Sequence, residues 1–246
     1  MTLRFTLENQ TALVTGAGKG IGRACVDTLA EAGARVIAVS RTQADLDALV
    51  ERWGDQVETH RQDVCDASFP AWVESIAALD ILVNNAGTNT PMPFTDVDDA
   101  TLDRLLDINV RATFRTAQAA VRVMLKGGRG GAVINVTSQM GHVGSATRTV
   151  YCMAKHGVEG LTKAMAVELA ASGIRVNSVA PTFINTPLAE PMLANPEFAA
   201  FVKKSIPLGR IGTVDDVAAA VLYLASPAAG MVTGHSLLVD GGWTAQ

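Results

Sequence analysis

The stretch Thr15-Gly16-Ala17-Gly18-Lys19-Gly20-Ile21-Gly22 follows directly on the apolar run Thr11–Thr15 (TALVT) and opens an amphipathic segment over Gly20–Ala32. Few folds accommodate a strand, a glycine-rich turn and a helix in immediate succession. Glycines let the backbone approach a phosphate closely, and the helix start offers free N–H groups and the positive end of its dipole. Read as Gly16, Gly20 and Gly22, the spacing is G-x-x-x-G-x-G. Such a turn can also be only a tight connection, so its meaning depends on the rest of the chain.

The rest of the chain repeats the alternation. Short β-branched runs at Arg35–Ser40, Val57–Gln62, Asp80–Asn84, Ala132–Thr137, Arg175–Ala180 and Ser236–Asp240 read as strands. Between them, Gln43–Trp53, Phe69–Ala77, Asp99–Lys126, Val150–Ser172 and Val214–Ala225 read as helices. Nearly continuous apolar strands suit a parallel sheet covered on both faces, and parallel neighbours need crossover helices. The expected fold is therefore α/β: one doubly wound parallel sheet of about seven strands, with helices on both faces, in a single domain over residues 1–246. Gly127–Gly131 reads as a helix stop before a strand. Ala189–Pro207, with Pro191, Pro196 and Pro207, reads as the least regular segment and suits a mobile lid.

Composition excludes several classes. Hydrophobic residues make up 48% and charged residues 18%, and the formal net charge of -4 argues against nucleic acid or an anionic membrane as the main partner. The three cysteines, Cys25, Cys65 and Cys152, have neither metal-ligand spacing nor a disulfide pattern, and the four histidines form no metal motif. No catalytic metal is expected. The first residues lack an apolar leader with a cleavage site, and no 18-residue apolar stretch occurs, so a cytoplasmic protein is expected.

The second strand ends at Ser40-Arg41, where this type of fold places the adenosine ribose. An acidic residue there would bind a free 2′-OH. Arg41, with Lys19 in the turn, favours a 2′-phosphate instead. An exposed Arg opening a helix is the plainer alternative. Asp63 could bond an adenine amino group or simply end a strand, and Asn84-Asn85-Ala86-Gly87 leaves room for a ribose or makes an ordinary turn.

Ser138 ends the fifth strand, and Tyr151 and Lys155 follow at i and i+4 on one helix face. A free Tyr titrates near 10 and is a poor base at neutrality, whereas an adjacent ammonium stabilises its phenolate. Tyr-x-x-x-Lys alone is common on helices. In combination, TGAGKGIG, NNAG, Asn109 in LLDINV, Ser138 and YCMAK, with Ser138 standing 13 residues before Tyr151, resemble the short-chain dehydrogenase/reductase family along essentially the whole chain.

That resemblance implies a Rossmann-type oxidoreductase moving a hydride between NADP(H), or NAD(H), and a carbonyl or secondary alcohol. It implies Tyr151 as acid/base, Ser138 as the group holding the substrate oxygen, Lys155 on the nicotinamide ribose and Asn109 holding a relay water. Coenzyme contacts are implied at Gly16, Gly18, Lys19, Gly20, Ile21, Gly22, Ser40, Arg41, Asp63, Val64, Asn85, Ala86, Gly87, Tyr151, Lys155, Pro181, Ile184 and Thr186. After the sixth strand the family usually has Pro-Gly, and here Thr182 replaces the glycine. TGAGKGIG, SRTQADLDAL and Pro181-Thr182 look most like the carbonyl and L-xylulose reductase branch, and are also similar to bacterial dehydrogenases of sugar alcohols and keto-deoxy sugar acids. A 3-oxoacyl carrier-protein reductase shares these motifs, and a cofactor-sensing regulator is a rival of another class. The family is usually tetrameric. His142 and Arg148, between Ser138 and Tyr151, are the expected substrate contacts beside Ser138 and Tyr151.

Overall fold

The computed structural model describes residues 5–246. Seven strands, β1 (Thr11–Thr15), β2 (Arg35–Ser40), β3 (Val57–Arg61), β4 (Ile81–Asn84), β5 (Gly131–Val136), β6 (Ile174–Pro181) and β7 (Ser236–Val239), form one sheet in the order β3-β2-β1-β4-β5-β6-β7. All six pairings are parallel. The order reverses between β1 and β4, and in such sheets the crevice at the carboxyl ends of those strands is where ligands bind.

Strand alternation explains why both faces are covered. Ala12 and Val14 of β1 enter one core with Ile81, Val83, Ala132 and Ile134, while Leu13 enters the other with Leu82 and Val133. The first core is closed by α1 (Gly20–Glu31), α2 (Gln43–Trp53) and α9 (Val214–Ala225). The second is closed by α3 (Phe69–Glu74), α5 (Ala112–Gly127) and α6 (Thr149–Leu169). Gly128, in the left-handed region at φ +65°, ends α5 as the glycine run predicts.

Two expectations are corrected. The helix predicted over Asp99–Lys126 is interrupted: α4 (Asp99–Leu106) passes into a π-helical turn at Asp107–Arg111 before α5 begins. Here the Ala112 N–H reaches back to the Asp107 carbonyl, while Asn109 Nδ2 donates to the Leu105 carbonyl at 2.9 Å. Ala189–Pro207 is not irregular but carries α7 (Glu190–Leu193) and α8 (Pro196–Ser205). Pro191 and Pro196 lie in first turns, where a missing N–H costs nothing, Pro207 follows the end of α8, and Asn195 Oδ1 caps α8 by accepting from the Glu197 and Phe198 N–H groups. Among the described residues, no helix is long and apolar enough to cross a membrane.

Candidate active site

The glycine turn is built so that side chains are sterically impossible. A Cβ on Gly22 would lie 2.1 Å from the Gly16 carbonyl oxygen, and one on Gly18 would lie 2.6 Å from Ser40 Oγ and 2.9 Å from Asp45 Oδ2. Asn85 braces the turn from β4: its Nδ2 donates to the Thr15 and Gly16 carbonyls at 2.9 and 3.1 Å. The Asn85 and Ala86 N–H groups donate to Thr15 Oγ1. No side chain caps the start of α1, so its first N–H groups face an approaching anion.

A cavity of about 890 Å³ begins at this turn, with Gly16, Lys19, Gly20, Ile21 and Gly22 in its wall. It runs past Asn85, Ala86 and Gly87 to Ser138, Tyr151 and Lys155, and is closed by Pro181, Ile184 and Thr186. A smaller hollow of about 220 Å³ adjoins it, bounded by Gly18, Ser40, Arg41, Asp63 and Val64. The predicted coenzyme residues are thus brought together along one continuous groove.

At the far end, Ser138 is buried and its Oγ accepts the Met140 N–H at 3.1 Å. Lys155 Nζ donates to the Val136 carbonyl at 3.0 Å and lies 5.5 Å from the centre of the Tyr151 ring. The helix spacing therefore joins the two side chains as expected. The expected lowering of the Tyr151 pKa does not follow. Burial pushes the phenol up to about 12, with the Ser138 hydroxyl opposing it, and the same burial pulls Lys155 down to about 8. Removal from water disfavours both charges, and at Lys155 the Glu159 carboxylate opposes it.

Asn109 is fully buried but does not stand in the cavity wall. Its Nδ2 donates to the Thr88 and Leu105 carbonyls, and its Oδ1 accepts the Thr88 N–H. The side chain expected to hold a relay water is occupied in pinning the chain after Gly87 to the π-helical turn.

The two cations beside the smaller hollow, Lys19 and Arg41, are exposed and already paired. Lys19, 64% exposed, lies 3.7 Å from Asp45, and Arg41, 73% exposed, lies 3.4 Å from Asp63. Asp63 also accepts the Cys65 N–H, which agrees with its reading as a turn residue.

Of the expected substrate contacts, Ser138 and Tyr151 line the cavity, and His142 and Arg148 do not. His142 points away from the cavity, its Nε2 lying 2.9 Å from Ser236 Oγ and 3.4 Å from Glu159 Oε1. A buried carboxylate and a hydroxyl draw the imidazole toward β7. Arg148 is 7% exposed and is also not in the wall. Its Nη1 donates to Thr147 Oγ1 at 2.8 Å, its Nη2 lies 3.2 Å from Sδ of Met192, which does line the cavity, and its Nε is buried without a partner. Thr147 beside it has φ +60°, a strained conformation for a β-branched residue.

Three wall residues were not singled out from the sequence as contacts. Asn89, Gln139 and Thr182 line the cavity, and Oδ1, Oε1 and Oγ1 of these residues are buried with no hydrogen-bond partner among the described residues. Gln139 directly follows Ser138, and Thr182 is the departure from Pro-Gly, so their positions were the available signal. Glu159 was missed as well, although an acid on the inward stripe of α6 is itself unusual. Among the described residues no group of three or more His, Cys, Asp or Glu side chains could hold a metal ion.

Comparison with known proteins agrees with this geometry. A family model described as enoyl-(acyl carrier protein) reductase matches residues 16–244. L-xylulose reductase from Bos taurus is 42% identical over 240 residues, covering 97% of this chain and 98% of that protein. D-threitol dehydrogenase from Mycolicibacterium smegmatis is 39% identical over 248 residues, covering 98% and 95%. The crystal structure of a gluconate 5-dehydrogenase from Burkholderia cenocepacia, in complex with NADP and tartrate, superimposes with a TM-score of 0.94 at 33% identity, covering 99% of this chain and 98% of that one.

Proposed function

The chain belongs to the short-chain dehydrogenase/reductase family and is an oxidoreductase of CH–OH groups, and from that premise we propose that it moves a hydride between NADP(H) and a carbonyl or secondary alcohol of a sugar, polyol or sugar acid. The observation that carries the reading is the continuous cavity joining the glycine turn to Ser138, Tyr151 and Lys155.

The residues present fit a dinucleotide. Gly16, Gly18 and Gly22 form a cradle that any Cβ would obstruct, at an uncapped helix start suited to a pyrophosphate. Gly20, Ile21, Asn85, Ala86, Gly87, Pro181, Ile184 and Thr186 would hold the rest along the groove, with Ser40, Asp63 and Val64 around the adenosine. Lys19 and Arg41 favour NADP(H) over NAD(H), and the NADP in the Burkholderia structure supports the same choice. When bound, the nicotinamide supplies or accepts the hydride.

The chain's own side chains manage the oxygen. Ser138 Oγ accepts the Met140 N–H, and its own O–H, turned toward Tyr151, would swing to donate to the substrate oxygen. Tyr151 gives that oxygen its proton in reduction and takes it back in oxidation. Lys155 spends one N–H on Val136 and keeps two, for a ribose hydroxyl and for the phenolate that forms at Tyr151. Asn109 acts by position, holding the chain after Gly87 against the π-helical turn.

A hydroxyl-rich substrate is favoured over an acyl thioester by the unpartnered oxygens of Asn89, Gln139 and Thr182 in the wall. Each would meet a hydroxyl of a polyol, whereas an acyl chain would leave all three unsatisfied. Arg148, buried without a carboxylate partner, stands behind Met192 of the wall, and a shift of Met192 would bring its guanidinium to a substrate carboxylate or hydroxyls. The same reading makes the protein a cytoplasmic homotetramer, supported by family resemblance and testable by light scattering. The decisive experiment follows nicotinamide absorbance with both coenzymes over ketoses, tetritols, pentitols, sugar acids and 3-oxoacyl thioesters. The highest kcat/KM is expected on a polyhydroxylated substrate with NADP(H), and preference for the thioesters would overturn the substrate assignment.

A further inference from the structure

Glu159 lies one helical turn beyond Lys155 on α6 and is 4% exposed. A buried carboxylate is costly unless it is hydrogen-bonded and its charge is used. Its hydrogen bonds come from hydroxyls on three neighbouring chain segments. Thr137 and Ser236 donate to Oε1, and Ser178 donates to Oε2 at 2.7 Å. Thr137 lies between Val136, whose carbonyl accepts from Lys155 Nζ, and Ser138. Lys155, Val136, Thr137 and Glu159 therefore form a closed ring that ties the end of β5 to α6. A Cβ on Gly141 would meet Glu159 Cγ at 3.1 Å and the Lys155 carbonyl oxygen at 3.2 Å, so the turn after Ser138 is seated on the same stretch of helix.

We propose that Glu159 is a positioning residue of the reaction, which fixes Ser138 against α6 and supplies the negative charge that keeps Lys155 an ammonium. The inference rests on the assignment of Tyr151 and Lys155 above. The hydroxyls around Glu159 carry no charge. The titratable neighbours given by the structure are Tyr151 and Lys155 on α6 and His142 from the turn after Ser138, while Thr137 just after β5, Ser178 within β6 and Ser236 at the start of β7 contribute hydroxyls only. Burial pulls Lys155 toward its neutral form, and the Glu159 carboxylate is the neighbour that opposes it. Without that charge Lys155 loses its proton at lower pH, and the phenolate formed at Tyr151 loses its stabilising partner.

The test is the pH dependence of kcat/KM for ketone reduction in Glu159→Gln, which keeps the size and removes the charge. The alkaline limb is expected to move to lower pH by about one unit, a tenfold loss at a fixed pH on that limb, with KM within about twofold of wild type. Glu159→Asp, which retains the charge, should return the limb toward wild type. His142→Gln should leave it in place. An unmoved limb in Glu159→Gln, or an equal displacement in His142→Gln, overturns the proposal. Should the Gln variant fail to fold by circular dichroism, Glu159→Met removes the charge at similar length and must show the same displacement. Tyr151→Phe is measured alongside: if it retains turnover, the parent assignment has failed. If it abolishes turnover while the limb of Glu159→Gln stays put, the inference alone has failed.

Discussion

The two ends of the cavity hold their cations in opposite ways. At the adenosine end, Lys19 and Arg41 stand in water, each facing a carboxylate. At the catalytic end, Lys155 and Arg148 are buried, and neither forms an ion pair among the described residues; Lys155 bonds a backbone carbonyl and Arg148 a hydroxyl and a thioether. Exposed pairs are worth about 0–1 kcal/mol and are screened by salt. Charges taken out of water alter protonation and reactivity. The outer end can bias a choice of coenzyme, while the inner end can change what chemistry is possible.

That contrast ranks the expected effects. Tyr151→Phe removes the transferred proton while keeping the ring, so kcat should fall at least ~10²-fold with coenzyme affinity little changed. Near-normal steady-state turnover would show that the inner end is not where the chemistry lies. Lys155 supplies a second measurement. Its pKa is about 8 in the folded protein against an ordinary 10.5, so between those values the unfolded chain binds more protons and stability rises with pH. Wild type should therefore gain on Lys155→Met by up to ~3 kcal/mol from pH 8 to pH 10.5, at 1.36 kcal/mol per unit. Denaturant melts at the two pH values check this, and a gap that stays constant would place the amine in water.

Smaller changes are expected further out. Arg148→Ala should raise KM about tenfold for an acidic or polyhydroxylated substrate, the loss of one interaction of about 1.4 kcal/mol, and leave cyclohexanone unaffected. Equal losses on both would assign Arg148 to holding Thr147 and Met192. The smallest effect belongs to Arg41→Ala. Titration should show that it lowers the preference for NADP(H) over NAD(H) by no more than about fivefold, since Arg41 is exposed and shares its charge with Asp63. A larger drop, resistant to salt, would make the outer end resemble the inner one.

The sheet was legible because short runs such as TALVT and RVIAVS carry apolar residues at consecutive positions, which suits a strand buried on both faces, and alternate with longer helical patterns. Ser138, Tyr151 and Lys155 stood out only through their order and spacing with TGAGKGIG, NNAG and Asn109, since a Tyr and a Lys one helical turn apart are common by themselves. The π-helical turn was not, since it arises when the Asn109 amide takes the Leu105 carbonyl, and the apolar pattern around it remains helical. His142 was misplaced for another reason. Its partner Ser236 lies 94 residues further along the chain, so proximity to Tyr151 in sequence said nothing about where the ring points. The pairing of Arg41 with Asp63 likewise exists only once β2 and β3 are side by side.

One small contact bears on how such a molecule changes over generations. Ile184 and Gly212 form an isolated parallel bridge, the Gly212 N–H donating to Phe183 and its carbonyl accepting from Asn185. Residues 186–211, including α7 and α8, thus leave and rejoin the body between these two residues, and the excursion is held again where the Leu208 N–H donates to the Gly241 carbonyl and Phe201 packs on Trp243. Exposed positions on it, such as Leu188 in the cavity wall, can change over generations and alter the molecules admitted, while Val202 and Ile206 lie buried and keep the excursion seated.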